Sequence, residues 1–314
     1  MEIVERLLEG DVRAAARLIS MIEDDDPRAA KALSLLHRHT GKAHVIGFTG
    51  PPGAGKSTVI DKVTGIYRAG GQRVGILAVD PTSPFTGGAL LGDRIRMQRH
   101  STDGGVFIRS MGTRGHMGGL AKGIWDAIKV LEAMGMNPVL VETVGTGQSE
   151  VEVVRGAHTV VVVVVPGLGD EIQAIKAGIF EIADIFVVNK ADRGEAEQTI
   201  EMLRGMIEMG EQNRSWIPPV LGTVGRSGDG MQDLIDAIGR HLSYLKGSGM
   251  MECKDRQRTK DEFMDLLRER LTRYIMERSI ERGGFDALVE RILRRQIDPY
   301  SAAEEIISGI DRKC

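Results

Sequence analysis

Cysteine is scarce in this sequence of 314 residues: only Cys253 and Cys314 occur, and they form no CxxC pair or Cys/His cluster. Neither a disulfide framework nor a zinc site is therefore indicated. The longest apolar run, Val160–Val165, is far shorter than the roughly 20 residues that a membrane helix needs. The acidic N-terminal stretch also lacks the apolar core of a signal peptide. These absences predict a cytoplasmic protein with no membrane partner.

Aromatic residues are few, and neither sign of charge is in large excess. Aromatic residues make up 4% of the chain, charged residues 27%, and the formal net charge is −3. This balance lacks the basic excess of a nucleic-acid-binding protein and the strong charge imbalance of a disordered acidic chain. The composition predicts a soluble globular protein that does not bind nucleic acid.

Short runs of mainly apolar residues alternate with helix-like stretches through the middle of the chain. Because runs that are apolar on both faces are typical of buried parallel strands joined by crossover helices, they predict an α/β fold with a mostly parallel sheet and helices on both faces. The predicted strands are His44–Gly50, Arg73–Asp80, Val106–Ser110, Pro138–Glu142, Thr159–Pro166, Ile185–Asn189 and Pro219–Thr223.

Helical patterns flank this α/β region on both sides. Apolar spacing before His44 predicts two N-terminal helices, separated at Asp24–Pro27, and the tail from Thr259 to Arg312 has an amphipathic helical pattern. Its apolar stripe either packs on the core or forms a self-association surface, and it contains Phe263, Leu266, Leu267, Leu271, Tyr274 and Ile275. We expect a helical extension at 1–41, an α/β domain at 42–247 and a second helical extension at 248–314.

A phosphate-binding motif follows the first predicted strand. Its pattern, G-x4-G-K-[ST], stands at the start of a helix, where backbone N–H groups and the helix N-terminus can face phosphate groups. Lys56 would add a positive charge, and the Ser57 hydroxyl could reach Mg²⁺. The predicted nucleotide-binding residues here are Gly50, Pro51, Pro52, Gly53, Ala54, Gly55, Lys56, Ser57 and Thr58.

Three acidic residues are candidates for ordering a metal ion or the attacking water. Asp80 and Glu142 end predicted strands, and the carboxyl ends of strands face the ligand crevice of an open α/β sheet. Asp93 is the third candidate, although it could instead cap a helix. Glu142 stands where many P-loop NTPases have an aspartate. Gly145 would let a backbone N–H approach the γ-phosphate, which makes Gly145–Glu150 a candidate nucleotide-sensing switch.

A guanine-recognition motif follows a later strand. Asn189, Lys190 and Asp192 match N-K-x-D, in which the aspartate accepts two hydrogen bonds from the guanine ring N–H and the exocyclic amine. Adenine offers no such pair, so the motif selects GTP over ATP. A further backbone contact is expected after the next strand, at Thr223 and Val224.

Together these motifs resemble one known family, the GTPases that act as chaperones for cobalamin-dependent acyl-CoA mutases, notably methylmalonyl-CoA mutase. An older label for this family is LAO/AO (ArgK) transport-system kinase. The resemblance covers about Gly41 to Leu245. It rests on the segments Gly50–Thr58, Asp80–Ser83, Thr86–Met97, Glu142–Glu150, Gly169–Lys176 and Asn189–Asp192.

The resemblance implies the P-loop fold of the signal-recognition-particle and metal-insertion GTPases, with Mg²⁺ held near Ser57, Asp80, Asp93 and Glu142. It further implies homodimerisation through the helical extensions and a mutase partner. A third switch, which communicates with the mutase, is implied within 167–176. Its candidate residues are Gly167, Asp170, Glu171, Gln173 and Lys176.

Two alternative functions stay open at the level of sequence. A GTPase that delivers nickel to an enzyme shares this fold, but it predicts a Cys/His cluster near the switches, whereas His100 and His116 flank a strand with no cysteine nearby. A kinase of a transport protein would need an acceptor surface and a catalytic base, which the sequence does not identify. Arg94, Arg96 and Arg114 are candidates for an arginine finger.

Overall fold

A single parallel sheet forms the centre of the fold. The computed structural model of the chain describes residues 2–80, 100, 102–112, 119–143, 154, 156–167, 179–210, 215–280 and 284–311. Its strands are β1 Val45–Thr49, β2 Val74–Asp80, β3 Val106–Gly112, β4 Val139–Thr143, β5 Thr159–Val164, β6 Ile185–Asn189 and β7 Val220–Thr223. All pair in parallel in the order β3-β2-β4-β1-β5-β6-β7. The predicted strands and fold class are therefore confirmed.

Helices between residues 2 and 255 cover both faces of the sheet. The helices are α1 Glu2–Leu8, α2 Val12–Glu23, α3 Pro27–Leu36, α4 Lys56–Ala69, α5 Gly119–Ala133, α6 Ile179–Ile182, α7 Ala196–Gly210, α8 Met231–Gly247, α9 Met250–Ile280, α10 Gly284–Leu293 and α11 Pro299–Asp311. A 3₁₀ turn, His37–His39, follows α3.

Alternate residues of each buried strand face opposite cores. In β5, Val160, Val162 and Val164 pack with α5 and the N-terminal helices, whereas Val161 and Val163 pack with α4 and α8. Because strands that are buried on both faces have nearly continuous apolar sequences, this arrangement explains the unbroken valine run in the sequence.

The N-terminal region forms three helices rather than the two expected. The break that the apolar spacing missed falls at Gly10 and Asp11, between α1 and α2. Gly10 has φ +89°, which is costly for other residues. The Asp11 carboxylate then caps α2 by accepting hydrogen bonds from the backbone N–H groups of Arg13 and Ala14. The predicted second break is present, with Asp26 as the N-cap of α3.

The chain divides into two compact units, Met1–Asp255 and Arg256–Cys314. In the second unit, Asp298 caps α11 by accepting hydrogen bonds from the N–H groups of Tyr300 and Ser301, and Arg291 of α10 pairs with Glu305 of α11 at 3.0 Å. Among the described residues, no helix is both long enough and apolar enough to span a bilayer.

A hydrogen-bonded network of buried side chains lies at the amino-terminal edge of the sheet. The Thr159 hydroxyl is 2.8 Å from His44 Nε2 and 2.9 Å from His241 Nδ1. His241 Nε2 in turn lies 3.3 Å from Asp184 Oδ1. Because that carboxylate can only accept, the simplest assignment has the His241 Nε2–H donating to Asp184, the Thr159 hydroxyl to His241, and the His44 Nε2–H to Thr159.

Stability should fall on acidification because of His44. Burial, reinforced by the neighbouring His158 and His241 and by Lys246 and Lys254, lowers the pKa of His44 from 6.5 to about 3. The folded state therefore disfavours the protonated ring. This contribution is complete above pH 6.5 and is lost as pH falls from there towards 3, so going from pH 7.5 to pH 5 should cost about 2 kcal/mol at this residue.

Urea unfolding at pH 7.5 and pH 5 tests this expectation. The His44→Gln variant, which keeps an N–H donor without a titrating ring, should lose about 2 kcal/mol less than the wild type over that step. Equal losses in the two proteins would show that His44 does not carry the effect.

Candidate active site

The motif after β1 forms a tight loop that ends in the N-terminus of α4. Gly50, Gly53 and Gly55 have φ values of +138°, +77° and +89°, which favour glycine. Space is equally restrictive, since a Cβ at Gly50 would lie 2.0 Å from the Val163 carbonyl oxygen and one at Gly55 would lie 2.4 Å from Asn189 Nδ2. The glycines thus allow the backbone to curl around a cradle for anions at the helix N-terminus.

Lys56 is the first residue of α4, and its side chain folds back over the loop. The residue is 5% exposed. Its ammonium group donates hydrogen bonds to the carbonyl oxygens of Gly50 at 2.7 Å and Pro51 at 3.0 Å. The positive charge is therefore held directly above the loop, where it can meet the negative charge of a bound phosphate group.

Ser57 and Glu142 meet beside this loop, although 85 positions separate them in the sequence. The Ser57 hydroxyl donates a 2.6 Å hydrogen bond to Glu142 Oε1, and both residues are buried. Glu142 is brought there by β4, which pairs with β1 on one side and β2 on the other. A hydroxyl and a carboxylate at the carboxyl edge of a parallel sheet are hard oxygen donors of the kind that Mg²⁺ prefers.

The other predicted acidic ligand positions are described less completely. Asp80 ends β2, where it pairs in register with Gly112 of β3, so its backbone lies at the same edge of the sheet as Glu142. Asp93 and Gly145 lie outside the described residues, as do the arginine-finger candidates Arg94, Arg96 and Arg114. Their placement in the site stays a prediction.

The base-recognition loop is bonded directly to the phosphate loop. Asn189, at the end of β6, donates from Nδ2 to the Ala54 carbonyl oxygen at 2.8 Å. Lys190 donates from Nζ to the Gly53 carbonyl oxygen at 2.8 Å. Two motifs that are 135 residues apart in the sequence are thus fixed against each other, and Asp192 is exposed beside them.

The loop after β7 completes this arrangement. The Thr223 hydroxyl donates to Asn189 Oδ1 at 3.3 Å, and the Gly225 N–H donates to the same oxygen at 2.9 Å. The Val224 N–H, by contrast, already donates to the Asp229 carbonyl oxygen. A contact of Thr223 or Val224 with the base stays a prediction.

Gly225 contacts the base motif, although the sequence analysis named only Thr223 and Val224 in this loop. A Cβ there would lie 3.2 Å from both Asn189 Oδ1 and Thr58 Cγ2. The close approach of this loop to Asn189 therefore favours glycine. The available signal was a glycine two residues after the end of a strand in the loop opposite N-K-x-D.

Of the predicted third switch, the structure describes only its first residue. Gly167 is exposed and has φ +85°. Asp170, Glu171, Gln173 and Lys176 lie outside the described residues.

The described part of the chain gives no support to a nickel site. Within it, no three His, Cys, Asp or Glu side chains come together in a way that could hold a metal ion. His100 instead bonds to Asp61 through Nε2, at 3.1 Å from the carboxylate, while His116 falls outside that part.

Several known proteins with similar sequences are described as GTPases. The family model described as methylmalonyl-CoA mutase-associated GTPase MeaB matches residues 15–279. A putative GTPase of Pyrococcus abyssi is 50% identical over 98% of this chain and 96% of its own length. The mouse protein described as a mitochondrial methylmalonic aciduria type A homolog is 30% identical over 96% of this chain and 77% of its own length.

The fold likewise matches a solved structure. The crystal structure of an LAO/AO transport system kinase superposes with a TM-score of 0.72 at 23% identity and covers 99% of this chain and 97% of that one. At this level of identity the likeness supports the fold alone.

Proposed function

The chain belongs to the family of methylmalonyl-CoA mutase-associated GTPases, and on that premise we propose that its GTP hydrolysis gates cofactor loading or protection of a cobalamin-dependent acyl-CoA mutase, with methylmalonyl-CoA mutase the first candidate. The observation that carries the proposal is the match to this family over residues 15–279. The hydrogen bonds between the phosphate loop and the base loop support the proposed GTP hydrolysis.

The reaction is transfer of the γ-phosphoryl group to water, which breaks the bond between the γ-phosphorus and the oxygen that bridges to the β-phosphate. In this proposal the N–H groups of residues 50–58 and the ammonium group of Lys56 stabilise negative charge on the transferring group. Lys56 exchanges its bonds with the Gly50 and Pro51 carbonyl oxygens for bonds to phosphate oxygens. Because the loop is already curled by its glycines, little reorganisation is needed when GTP binds.

The donor set fits a resident Mg²⁺. Ser57 and Glu142 supply a hydroxyl and a carboxylate 2.6 Å apart, and Mg²⁺ commonly takes one or two protein oxygens together with phosphate oxygens and water. We assign Ser57, Asp80, Asp93 and Glu142 to this ion, directly or through water. When bound, Mg²⁺ neutralises charge on the β- and γ-phosphate oxygens.

Guanine is read by Asp192 in this proposal. Asn189 and Lys190 hold the loop against the phosphate loop, so the distance between the base pocket and the phosphate cradle is set by direct bonds. Because the two loops are bonded to each other, base recognition and phosphate placement are coupled in this proposal.

Partner communication is assigned to residues 167–176, and self-association to the C-terminal extension, proposed to begin at 248. Phe263, Leu267, Leu271 and Tyr274 of α9 are exposed, and their spacing places them on one side of the helix. Apolar side chains exposed in this way are typical of an interaction surface. We propose that they form a homodimer contact, which light scattering of the full chain tests.

GTP turnover with and without a mutase tests the proposed function. We expect GTP to be hydrolysed in preference to ATP and a cobalamin-dependent acyl-CoA mutase from the same organism to raise the rate, because partner contact stabilises ordered switches. The readout is phosphate release by the purified chain over a series of mutase concentrations, with heat-denatured mutase as the control. GTP turnover that no such mutase changes would contradict the chaperone role and leave the GTPase activity intact.

A further inference from the structure

The first turns of α9 lie against the amino-terminal edge of the sheet. Only Ser248 and Gly249 separate α8 from α9, and Gly249 has φ +74°. Residues 250–255 still belong to the first compact unit of the chain. Two consecutive side chains of this stretch, Lys254 and Asp255, bond to the edge of the sheet. We call residues 250–255 the α9 strap.

Asp255 fastens the strap to a buried histidine whose orientation is fixed. The Val45 N–H donates to His158 Nδ1 at 3.0 Å, so in the neutral ring Nδ1 is the acceptor and Nε2 carries the hydrogen. This Nε2–H donates to Asp255 Oδ1 at 3.0 Å. The His158 side chain is only 3% exposed. Removal of the Asp255 carboxylate would therefore take a charged acceptor away from a donor that water reaches poorly.

Lys254 fastens the strap at a second point. Its ammonium group donates to the His158 carbonyl oxygen at 2.8 Å and lies 3.5 Å from Asp184 Oδ2. The Asp184 carboxylate is itself fixed, because Oδ2 accepts from the Val160 N–H at 2.8 Å and Oδ1 lies 3.3 Å from His241 Nε2. Both side chains of the strap are therefore attached to groups that β5 and α8 hold in place.

Charged pairs further along α9 are of a different kind. Arg268 pairs with Asp265 and Arg273 with Glu269, so both pairs lie within the helix and both arginine side chains are well exposed. Exposed pairs of this kind contribute little to stability. Asp255, in contrast, bonds to a residue 97 positions away in the sequence. The strap therefore joins α9 to the sheet, whereas the later pairs only support the helix itself.

We propose that the α9 strap is a conformational device that keeps the start of the C-terminal extension helical and docked on the sheet through His158 and Asp184. The same helix continues to the exposed apolar side chains that begin at Phe263. The strap thus fixes the beginning of the helix that carries the proposed self-association surface. Without its two bonds, the first turns of α9 open locally while the sheet stays folded. The proposal does not depend on GTP hydrolysis.

Hydrogen exchange in the full chain tests the strap. Asp255→Ala removes the acceptor, while alanine favours the helix more than aspartate does. Exchange of the N–H groups of residues 254–259 should become about tenfold faster, the effect of losing one hydrogen bond to a charged group. Asp255→Asn keeps a side-chain oxygen that can accept from His158 Nε2, so its exchange should stay within about threefold of the wild type. Lys254→Met should accelerate exchange in the same residues.

Asp265→Ala is the matched control, since it makes the same change on the same helix at an exposed residue, and it should leave exchange of residues 254–259 within about twofold. Faster exchange in Asp255→Ala, with recovery in Asp255→Asn, would support the inference. Unchanged exchange in Asp255→Ala, or equal acceleration in Asp255→Ala and Asp255→Asn, would overturn it, because the bond to His158 would then not hold the strap. If Asp255→Ala does not fold, Lys254→Met takes its place, with Lys260→Met as the control.

Discussion

Replacing Lys56 with methionine should lower kcat for GTP by at least about a hundredfold. The Lys56 ammonium group is buried against the carbonyl oxygens of Gly50 and Pro51 and can turn to bound phosphate oxygens without leaving the loop. Methionine keeps the length and most of the apolar stem but removes the charge. The negative charge that builds up on the phosphate oxygens during transfer then loses its nearest side-chain cation in the phosphate motif.

Steady-state phosphate release measures kcat, and fluorescent GDP measures binding. GDP affinity should fall less than kcat, because the loop N–H groups remain in place. Lys62→Met is the matched control, since Lys62 lies on the same helix but outside the phosphate motif, and it should leave kcat within about threefold. Near-normal turnover in Lys56→Met would mean that the phosphate group does not sit in this loop.

The sheet and the phosphate loop could be predicted from sequence because each depends on local pattern. A strand such as β5, which is buried on both faces, has an unbroken valine run after its first residue, and the curl between Gly50 and Gly55 requires glycine where φ is positive. Neither feature needs knowledge of distant contacts. The strands and the phosphate loop of the structure therefore lie at the positions in the chain that the sequence predicts.

Contacts between distant residues could not be predicted in the same way. The Ser57 bond to Glu142 depends on β4 lying beside β1, and no single run of residues determines the order of strands in a sheet. The same holds for His44 with Thr159 and for His100 with Asp61, since an isolated histidine has no local signature. The break at Gly10 was missed for a different reason: apolar periodicity continues across it, whereas the positive φ of Gly10 and the Asp11 cap separate the two helices.

Asp192→Asn should change the nucleotide preference of the site from GTP to xanthosine triphosphate. The Asp192 carboxylate is exposed and forms no hydrogen bond or ion pair with other residues that the structure describes, which leaves both oxygens available to the guanine ring N–H and exocyclic amine. Asparagine presents one acceptor and one donor. Its NH2 group would therefore face the exocyclic amine of guanine, and both groups are hydrogen-bond donors. Loss of the hydrogen bond to the exocyclic amine, the unfavourable contact that replaces it and the loss of charge at the remaining bond should together weaken GTP binding by about a hundredfold or more.

Xanthosine triphosphate presents a carbonyl where guanine presents its amine, so the asparagine amide can donate to that carbonyl while its own oxygen still accepts from the ring N–H. The variant should therefore bind xanthosine triphosphate more tightly than GTP, while the phosphate loop, held to the base loop by Asn189 and Lys190, continues to bind phosphate in the same place. Displacement of fluorescent GDP by GTP, ATP and xanthosine triphosphate measures the change, with Asp233→Asn, an exposed carboxylate at the start of α8, as the charge-matched control. Both variants lose one negative charge. A change of nucleotide preference confined to Asp192→Asn therefore comes from hydrogen bonding to the base. An unchanged preference in Asp192→Asn would mean that the base binds in a different pocket.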